Sequence, residues 1–440
     1  MYRIPYFSNR FLVFFAFGML PMVFGIISPA FLHIGYAYDL VLFTLFLADV
    51  LLLPALGALS VTRTYPDVLS LGTRQRLVLT LQNPTQTTIR AEIMEALPDS
   101  FVSDDNHQRV ILRPLSETDV IYHATPYARG DYELKTTYLR ITGRLGLAVR
   151  RVKYDHASRV KVYPDLSHIS RMGFHFRTMQ TSEFGARLSK LRGGGTEFES
   201  LREYLPHDDY RRIDWKATAR NASLITRQYE AERAQRVVLA IDAGRLMTGT
   251  VEGYSKLDHA INAAWTLAVL CEGRGDYVGL VVFADKILTY LPPGRGSDHL
   301  VTLVNVLYRV QPAFLESDYA GALSYLRKRC PRRSLVVLFT ELLDMESSKP
   351  LLSHLGAMAR RHLPLCITLR NHELEEVIHQ CPDARRNAHE KAAAVELQEE
   401  KRRALAYLGN RGAMAVECAA SELVTTSIDK YLEIKAKGLL

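Results

Sequence analysis

The sequence predicts two membrane-spanning helices, then a small antiparallel β-sandwich, then an α/β domain built on a doubly wound parallel sheet. Three observations carry this prediction. Two long apolar stretches open the chain, short segments of alternating apolar and polar residues follow, and apolar strands alternate with amphipathic helices from residue 235 onward. A chain of 440 residues is long enough for two or three domains with separate cores.

The two apolar stretches cover residues 11–32 and 39–59, and each is long enough for a bilayer, which takes about 20 residues. A signal peptide would have a shorter apolar core and no second apolar stretch behind it. The sequence therefore predicts a hairpin of two transmembrane helices, joined by residues 33–38 and preceded by a short segment at residues 1–10.

Arginine residues determine the orientation expected for this hairpin. Arg3 and Arg10 precede the first helix and Arg63 follows the second, whereas the connector carries no Lys or Arg. The positive-inside rule then places both termini in the cytoplasm, so we expect a multi-pass protein of the cytoplasmic (inner) membrane. Five cysteines without a C-x-x-C pair agree with this prediction, because free thiols are typical of a reducing compartment.

One acid, Asp49, lies near the middle of the second predicted span. On insertion scales an acid at that depth costs on the order of 2.5–3.5 kcal/mol, so such a residue usually has a partner or a function. Because it is a single mid-span acid, we favour helix packing or subunit assembly over proton transport. The alternative of a proton-relay group stays open.

Residues 60–163 are predicted to form the antiparallel sandwich. The segment QRLVLTLQN alternates, Asn83-Pro84 supplies a turn, and a second alternating run surrounds Arg129-Gly130-Asp131. Sandwiches of this kind usually position or bind other groups. The formal net charge of +8 is concentrated in residues 140–192, which contain twelve Lys and Arg residues but only three acids. This segment is either a solvated basic connector or a binding site for anionic lipid, and nucleic acid is the less favoured partner.

Residues 164–234 form a connector that contains the run TEFESLREYLPHDDYRRIDWKATAR. Disordered linkers are poor in aromatic residues, so we expect this segment to be folded. It is either an ion-pair network that fastens the connector to a neighbouring domain or a docking surface, since arginines and aromatics dominate interface hot spots. No motif spacing supports catalysis by the adjacent Asp208 and Asp209. The residues of this candidate partner-binding or structural motif are Arg202, Glu203, Tyr204, Asp208, Asp209, Arg211, Arg212, Asp214, Trp215, Lys216 and Arg220.

From residue 235 to residue 440, apolar strands alternate with amphipathic helices, which predicts a parallel sheet covered on both faces. The first of these strands, RVVLAID, ends in Asp242. Open α/β sheets bind their ligands at the carboxyl ends of the strands, so Asp242 is a candidate site residue.

The membrane hairpin, the run REYLPHDDYRRIDWKATAR and the closing YLEIKAKGLL together resemble the bacterial domain-of-unknown-function family fifty-eight. The resemblance implies a von Willebrand factor A-like α/β domain and a MoxR-type AAA+ ATPase as partner. The chain departs from the family in two places. His207 stands where the family has a glycine, and TGRLGL replaces the family's Asp-Pro-Phe-Gly-Leu turn, so the contacts of that turn are expected to differ.

The resemblance also implies a metal site, because von Willebrand A domains bind Mg²⁺ through D-x-S-x-S, a threonine and an aspartate. Asp242 matches the first ligand, but Gly244 and Leu246 replace both serines. Ser317 could stand for the threonine, or it could be the N-cap of the next helix, and Glu341 could stand for the aspartate. We interpret the set as a degenerate site without a cofactor, and retained Mg²⁺ binding is the alternative.

The sequence favours a membrane-anchored scaffold or adaptor that binds protein partners and is not an enzyme. It contains no G-x-x-x-x-G-K-[ST] phosphate loop, so ATP-driven work would come from a partner such as the MoxR-type ATPase. Two alternatives stay open: a membrane-bound metal-dependent hydrolase, and a protein that binds the anionic membrane surface. The biological process, the client and the oligomeric state are not specified by the sequence.

Overall fold

The computed structural model describes residues 5–54, 59–65, 68–164, 197–205, 210, 213–221, 223–230, 234–342, 345–370, 372–379 and 385–440. The chain divides into two compact units, Met1–Tyr163 and Pro164–Leu440.

Two apolar helices follow a short strand, β1 (Tyr6–Phe7), at the start of the first unit. They are α1 (Asn9–Val23), which a 3₁₀ turn extends to Ile26, and α2 (Pro29–Leu51). Both are long and apolar enough to cross a membrane by length and composition. Most of their side chains are not covered by other parts of the protein, as expected of helices that lie in an apolar environment.

The helix boundaries differ from the predicted spans. The turn of the hairpin lies at residues 24–28, and the predicted connector at residues 33–38 is helical. Pro29 explains the shift, because proline at the first helical position loses no hydrogen bond and has a suitable φ. The second helix ends at Leu51, three residues before Pro54. Asp49 therefore lies in the last turn of α2 and not in mid-span.

The remainder of the first unit consists of β-sheets, which confirms the predicted antiparallel sheets. One sheet has the order β1-β10-β9-β5-β7, with β3 paired in parallel to β10, and the other has the order β2-β4-β8-β6. The strands are β2 (Ser60–Thr64), β3 (Val68–Ser70), β4 (Gln75–Asn83), β5 (Ile89–Glu95), β6 (Phe101–Val102), β7 (His107–Leu112), β8 (Ser116–Pro126), β9 (Gly130–Thr142) and β10 (Ala148–Tyr163).

The alternation seen in the sequence is the alternation of burial in the strands. Leu77, Leu79 and Leu81 of β4 are fully buried, whereas Arg76 and Gln82 on the same strand are exposed. Successive side chains of a strand point to opposite faces, so this pattern places one face of β4 against the core. The strand β1, which precedes the helices, pairs with β10 and ties the start of α1 to the sheet.

The described part of the second unit consists of a small hairpin followed by the α/β domain. In the hairpin, β11 (Glu197–Glu203) pairs with β12 (Ile225–Glu230), and α3 (Trp215–Asn221) lies between them in sequence. The elements that follow are β13 (Arg236–Asp242), β14 (Thr250–Val251), β15 (Tyr254–Ser255), α4 (Lys256–Gly273), β16 (Tyr277–Phe283), β17 (Ile287–Gly294), α5 (Ser297–Leu307), α6 (Tyr319–Arg329), β18 (Leu335–Phe339), α7 (Met345–Met358), β19 (Leu363–Leu369), α8 (His372–His379), α9 (Arg385–Asn410), β20 (Met414–Cys418) and α10 (Leu423–Ala436).

The main sheet of this unit has the order β17-β16-β13-β18-β19-β20, and all its pairs are parallel except β16–β17. Leu239 and Ile241 of β13 pack on the face that α4, α5 and α10 cover. Val238 and Ala240 pack on the other face, under α6, α7 and α9. The prediction of an α/β domain with both faces of the sheet covered is confirmed. From the β13–β18 pair, the chain adds strands toward one edge of the sheet (β16, β17) and then toward the other (β19, β20).

A buried acid fastens the last helix to this domain. The fully buried Asp276 accepts hydrogen bonds from the backbone N–H of Gln235 (2.9 Å), from Lys435 Nζ (2.6 Å) and from the hydroxyl of Tyr431. Tyr431 and Lys435 belong to α10, so Asp276 ties the C-terminal helix to the segments that lead into β16 and, through Gln235, into β13. The lysine supplies the opposite charge that a buried carboxylate requires.

Candidate functional site

The candidate site lies at the carboxyl ends of β13 and β18, the position at which the strand order changes direction. In open α/β sheets this is the place where loops diverge and leave a crevice. Asp242 is the last residue of β13, and Thr340 and Glu341 directly follow β18. All three side chains are buried, so each needs a partner within the protein.

Asp242 accepts four hydrogen bonds from the protein. Its Oδ1 accepts from the backbone N–H of Gly244 (2.8 Å) and from the hydroxyl of Ser317 (2.5 Å). Its Oδ2 accepts from the hydroxyls of Tyr319 (2.8 Å) and Thr340 (2.6 Å). A carboxylate offers about four lone-pair directions, so protein donors fill the acceptor capacity of Asp242. Burial, and after it the nearby carboxylate, raises the pKa of Tyr319 well above its usual range, which keeps its hydroxyl a donor.

The glycine after Asp242 is required by this arrangement. A Cβ at position 244 would lie 2.0 Å from Ser317 Oγ and 2.9 Å from the carbonyl oxygen of Leu315. A serine at Gly244, as the metal-binding pattern has, would therefore displace Ser317 from Asp242. The sequence suggested that Gly244 is a lost metal ligand. In the structure, the missing side chain at Gly244 makes room for the hydroxyl of Ser317, which donates to the Asp242 oxygen that a metal ion would otherwise bind.

Glu341 belongs to a separate buried cluster, which differs from the predicted metal set. Its Oε1 lies 3.3 Å from Lys401 Nζ and its Oε2 lies 3.3 Å from Lys256 Nζ. Lys401 also donates to the carbonyl of Leu369 (2.7 Å) and pairs with Glu417 (2.9 Å). The two ammonium groups next to Glu341 would repel a divalent cation, which disfavours the predicted metal set of Asp242, Ser317 and Glu341. In the part of the chain that the structure describes, no three His, Cys, Asp or Glu side chains are grouped to hold a metal.

The sequence alone did not identify four residues of these two clusters, which are Tyr319, Thr340, Lys256 and Lys401. Thr340 directly precedes Glu341, so its place at a strand end could have been read from the sequence. Lys401 lies in a helix rich in charges, where the expected position of a lysine is solvent, and its burial has no local signal. The N-cap interpretation of Ser317 is wrong, because Asp318 caps α6 by accepting from the N–H of Gly321 (2.9 Å).

A loop beside Asp242, residues 311–318, presents apolar side chains outward; we call it the strand-end loop. Its backbone is fixed by three hydrogen bonds, from Ala313 N–H to the Ala243 carbonyl (2.7 Å), from Arg245 N–H to the Leu315 carbonyl (2.8 Å) and from Asp318 N–H to the Ala284 carbonyl (2.8 Å). The side chains at its tip nevertheless face solvent.

Two of those tip side chains are large and apolar. Phe314 is 83% exposed and Leu315 is 51% exposed, although the backbone beneath them is held in place. Neighbouring exposed apolar groups on a fixed backbone are typical of binding surfaces, since little ordering entropy is lost when a partner covers them. The loop and the Asp242 cluster are therefore one structural feature, because Ser317 belongs to both.

Seven of the eleven residues of the connector motif lie in the described part of the chain. Asp208, Asp209, Arg211 and Arg212 lie outside the described residues, and of Arg202 the structure describes the backbone. Glu203 ends β11, the Tyr204 N–H donates to the Leu224 carbonyl (2.8 Å), and Lys216 and Arg220 lie on α3 with exposed side chains.

Asp214 and Trp215 have distinct roles in this hairpin. Asp214 Oδ1 accepts from the backbone N–H groups of Lys216 (3.0 Å) and Ala217 (3.1 Å), which is the bonding of a helix N-cap. Its own N–H donates to the Ile225 carbonyl (2.8 Å), which fixes α3 to β12. Trp215 is 69% exposed. Asp214 is thus structural, whereas the indole of Trp215 is presented to solvent.

Asp49 is bound by a turn of the first unit. Its carboxylate accepts from the backbone N–H groups of Leu145 (2.8 Å), Leu147 (2.9 Å) and Ala148 (2.9 Å), and it is fully buried. A Cβ on Gly143 would lie 2.3 Å from Asp49 Oδ2. Residues 143–148, which we call the latch loop, include most of the TGRLGL segment that departs from the family pattern. Asp49 therefore fastens the end of α2 to the sheet, which is a packing role.

The donors around Asp242 lead to a prediction about two variants. Asp242→Asn keeps the shape of the side chain but turns one acceptor into a donor that faces two hydroxyls, which can rotate. We expect it to lower the free energy of unfolding by about 1–2 kcal/mol, whereas Asp242→Ala, which orphans all four donors, costs about 3–5 kcal/mol. Thermal unfolding of the detergent-solubilised protein measures both. Equal losses for the two variants would contradict the hydrogen-bonded role.

The family described as "Protein of unknown function DUF58" matches residues 200–409. This match covers Asp242, the strand-end loop, the Glu341–Lys401 pair and the connector hairpin except for the first three residues of β11. It ends before β20 and α10, and the latch loop lies outside it. The candidate site therefore lies within the matched residues.

Curated proteins similar to this chain are themselves uncharacterized. Uncharacterized proteins Mb1516 of Mycobacterium bovis and Rv1480 of Mycobacterium tuberculosis are each 30% identical over 199 residues. The alignment covers 44% of this chain and 62% of each relative, so the chain spans less than two thirds of their length. Among solved structures, the conserved hypothetical protein BatB from Bacteroides thetaiotaomicron is 17% identical with a TM-score of 0.32, over 46% of this chain and 100% of that chain.

Proposed function

We propose that the protein is a membrane-anchored scaffold or adaptor that binds a protein partner through the strand-end loop and the connector hairpin and catalyses no reaction itself. The two apolar helices would hold it in the bacterial inner membrane with both termini in the cytoplasm, as the flanking arginines favour. The partner proposed from the family resemblance is a MoxR-type AAA+ ATPase.

One observation carries the proposal: the Asp242 carboxylate is bound by four protein donors beneath a loop that exposes Phe314 and Leu315. A catalytic or metal-binding carboxylate needs oxygens that are accessible to substrate or ion. Here the carboxylate holds Ser317 and thereby the loop in position. The arrangement supports presentation of an apolar surface rather than chemistry at Asp242.

The remaining chemistry of the domain agrees with binding. Burial raises the pKa of the Cys366 thiol to about 12 and that of Cys418 to about 11, so both thiols stay protonated and are poor nucleophiles near neutral pH. Glu341 is neutralised by two lysines. A von Willebrand A-like assignment of the domain is supported by an acid at the end of its first strand, and in that assignment the metal position would be replaced by hydroxyl donors.

A binding measurement with a purified MoxR-type ATPase from the same organism tests the proposal. The full-length protein is immobilised in detergent or in nanodiscs, and the dissociation constant is measured by biolayer interferometry with ATP. Phe314→Ser removes roughly 2 kcal/mol of apolar burial from such an interface, so we expect binding to weaken at least about tenfold. Because the proposed contact contains no metal, EDTA should leave the wild-type affinity unchanged when it is measured without nucleotide.

Val301→Ser is the matched control, because Val301 is an exposed apolar residue of the same domain on α5. We expect its affinity to equal that of the wild type. If Phe314→Ser and Val301→Ser bind alike, the strand-end loop is not the contact. If the ATPase binds neither the wild type nor any variant, the inferred partner is wrong.

A further inference from the structure

The start and the end of the helical hairpin meet at the latch loop. Asp49, at the end of α2, accepts from three backbone N–H groups of residues 145–148. Ser8, the N-cap of α1, donates from its hydroxyl to the Gly146 carbonyl (2.6 Å) and from its N–H to the Leu147 carbonyl (2.8 Å). If the two helices cross a bilayer, this loop lies at the membrane surface on the side of the sheets.

Three arginines surround this junction. Arg10 is exposed in the first turn of α1 and lies against the loop, since a Cβ at Gly146 would be 3.2 Å from its Nη1. Arg144 is exposed at the tip of the loop. Arg150, at the start of β10, donates to the carbonyl of Pro54, just beyond the end of α2 (2.7 Å). The acid of the junction, Asp49, is fully buried and its oxygens face backbone donors, so the outer surface is positively charged.

Apolar side chains continue from this charged surface onto the helices. Leu145 at the loop tip is 47% exposed, and Leu51 and Leu52 at the end of α2 are 79% and 51% exposed. Cationic groups beside exposed leucines are the arrangement that suits the boundary between lipid headgroups and acyl chains. Long basic side chains reach phosphates there while the apolar groups remain in the hydrocarbon region.

We propose that Arg10, Arg144 and Leu145 form a binding surface for anionic phospholipids, with the headgroup phosphate on the two guanidiniums and Leu145 among the upper acyl-chain carbons. The proposal rests on the membrane anchoring given under the proposed function. Anionic lipid suits the surface because each basic residue near a charged leaflet contributes about 1 kcal/mol, or roughly fivefold in affinity. The latch then has a purpose beyond packing, since it holds the arginines at the bilayer surface.

The test uses the full-length protein in nanodiscs of phosphatidylcholine, with and without phosphatidylglycerol. Native mass spectrometry counts the phosphatidylglycerol retained, and thermal unfolding measures the stabilisation that it gives. We expect the wild type to retain phosphatidylglycerol preferentially and to unfold at a higher temperature in its presence. The double variant Arg10→Gln/Arg144→Gln should lose about 25-fold in this preference, and high salt should weaken the wild-type preference.

The matched control is Arg76→Gln/Arg90→Gln, which removes two exposed arginines from β4 and β5. It should behave as the wild type does. A control that loses the preference equally would show a general charge effect and overturn the site. Equal stabilisation of detergent-solubilised wild type by inorganic phosphate would show a site for free anions, and the lipid proposal would be wrong.

Two failures are distinguishable. A wild type that enters nanodiscs but shows no preference for phosphatidylglycerol overturns the lipid site and leaves the anchoring in place. A wild type that does not enter nanodiscs overturns the anchoring itself.

Discussion

Replacing Asp49 by alanine should release the latch loop and lower the free energy of unfolding of the first unit by about 3–5 kcal/mol. Three backbone N–H groups, those of Leu145, Leu147 and Ala148, lose their acceptor in this variant. Each buried donor left without a partner costs about 1–3 kcal/mol, and water that enters the space offsets part of this. Hydrogen exchange read by mass spectrometry should show faster exchange across residues 145–148, together with a lower unfolding temperature in detergent.

Graded variants separate this role from a general effect of charge. Asp49→Asn keeps one carbonyl oxygen, so it retains part of the bonding and should lose less than half as much stability. Gly143→Ala should resemble Asp49→Ala, because its Cβ would lie 2.3 Å from Asp49 Oδ2. Asp119→Ala removes an exposed acid that bonds to Thr80 and should change the stability by less than about 0.5 kcal/mol. Unchanged exchange at residues 145–148 in Asp49→Ala would contradict the latch.

The parts of the fold that were predictable are those governed by local periodicity. Alternating burial along β4, from Leu77 to Leu81, and the uniformly apolar β13 are properties of short segments, so they appear directly in the sequence. The helix boundaries were not predictable in this way. The apolar composition runs without interruption through the turn at residues 24–28, and composition alone does not show where the chain reverses direction.

The site required contacts that no local pattern contains. Asp242 was found because it ends an apolar strand, but its partner Thr340 is 98 residues away and Tyr319 is 77 residues away. Likewise, Asp49 bonds to latch-loop residues that lie 96 to 99 positions later in the chain. The departure from the metal-binding pattern at Gly244 and the departure from the family pattern in TGRLGL were visible, and each lies at a contact described above. The sequence did not show which donors bond to Asp242 and Asp49, because those donors are distant in the chain.

Replacing Lys401 by methionine should destabilise the α/β domain by about 3–5 kcal/mol, because it removes one of the two ammonium groups beside a buried carboxylate. Glu341 is 2% exposed and Lys401 is 6% exposed, so water cannot take over the role of the lost partner. The double variant Glu341→Leu/Lys401→Met should recover part of this loss, since the partners left behind, Glu417 and Lys256, are both partly exposed and can be hydrated. Arg402→Met, on the exposed side of the same helix, is the control and should stay within about 0.5 kcal/mol of the wild type.

The same measurement distinguishes the ion-pair cluster from the metal site that the sequence suggested. Lys256 and Lys401 already neutralise Glu341, so adding Mg²⁺ should leave the unfolding temperature of the wild type unchanged. An increase in that temperature with Mg²⁺, abolished by Glu341→Gln, would instead show that Glu341 is a ligand and that the lysines move away when the ion binds. If the loss of the double variant equals the sum of the losses of Glu341→Leu and Lys401→Met measured singly, the two side chains act independently, and the fixed arrangement of the strand ends has another origin.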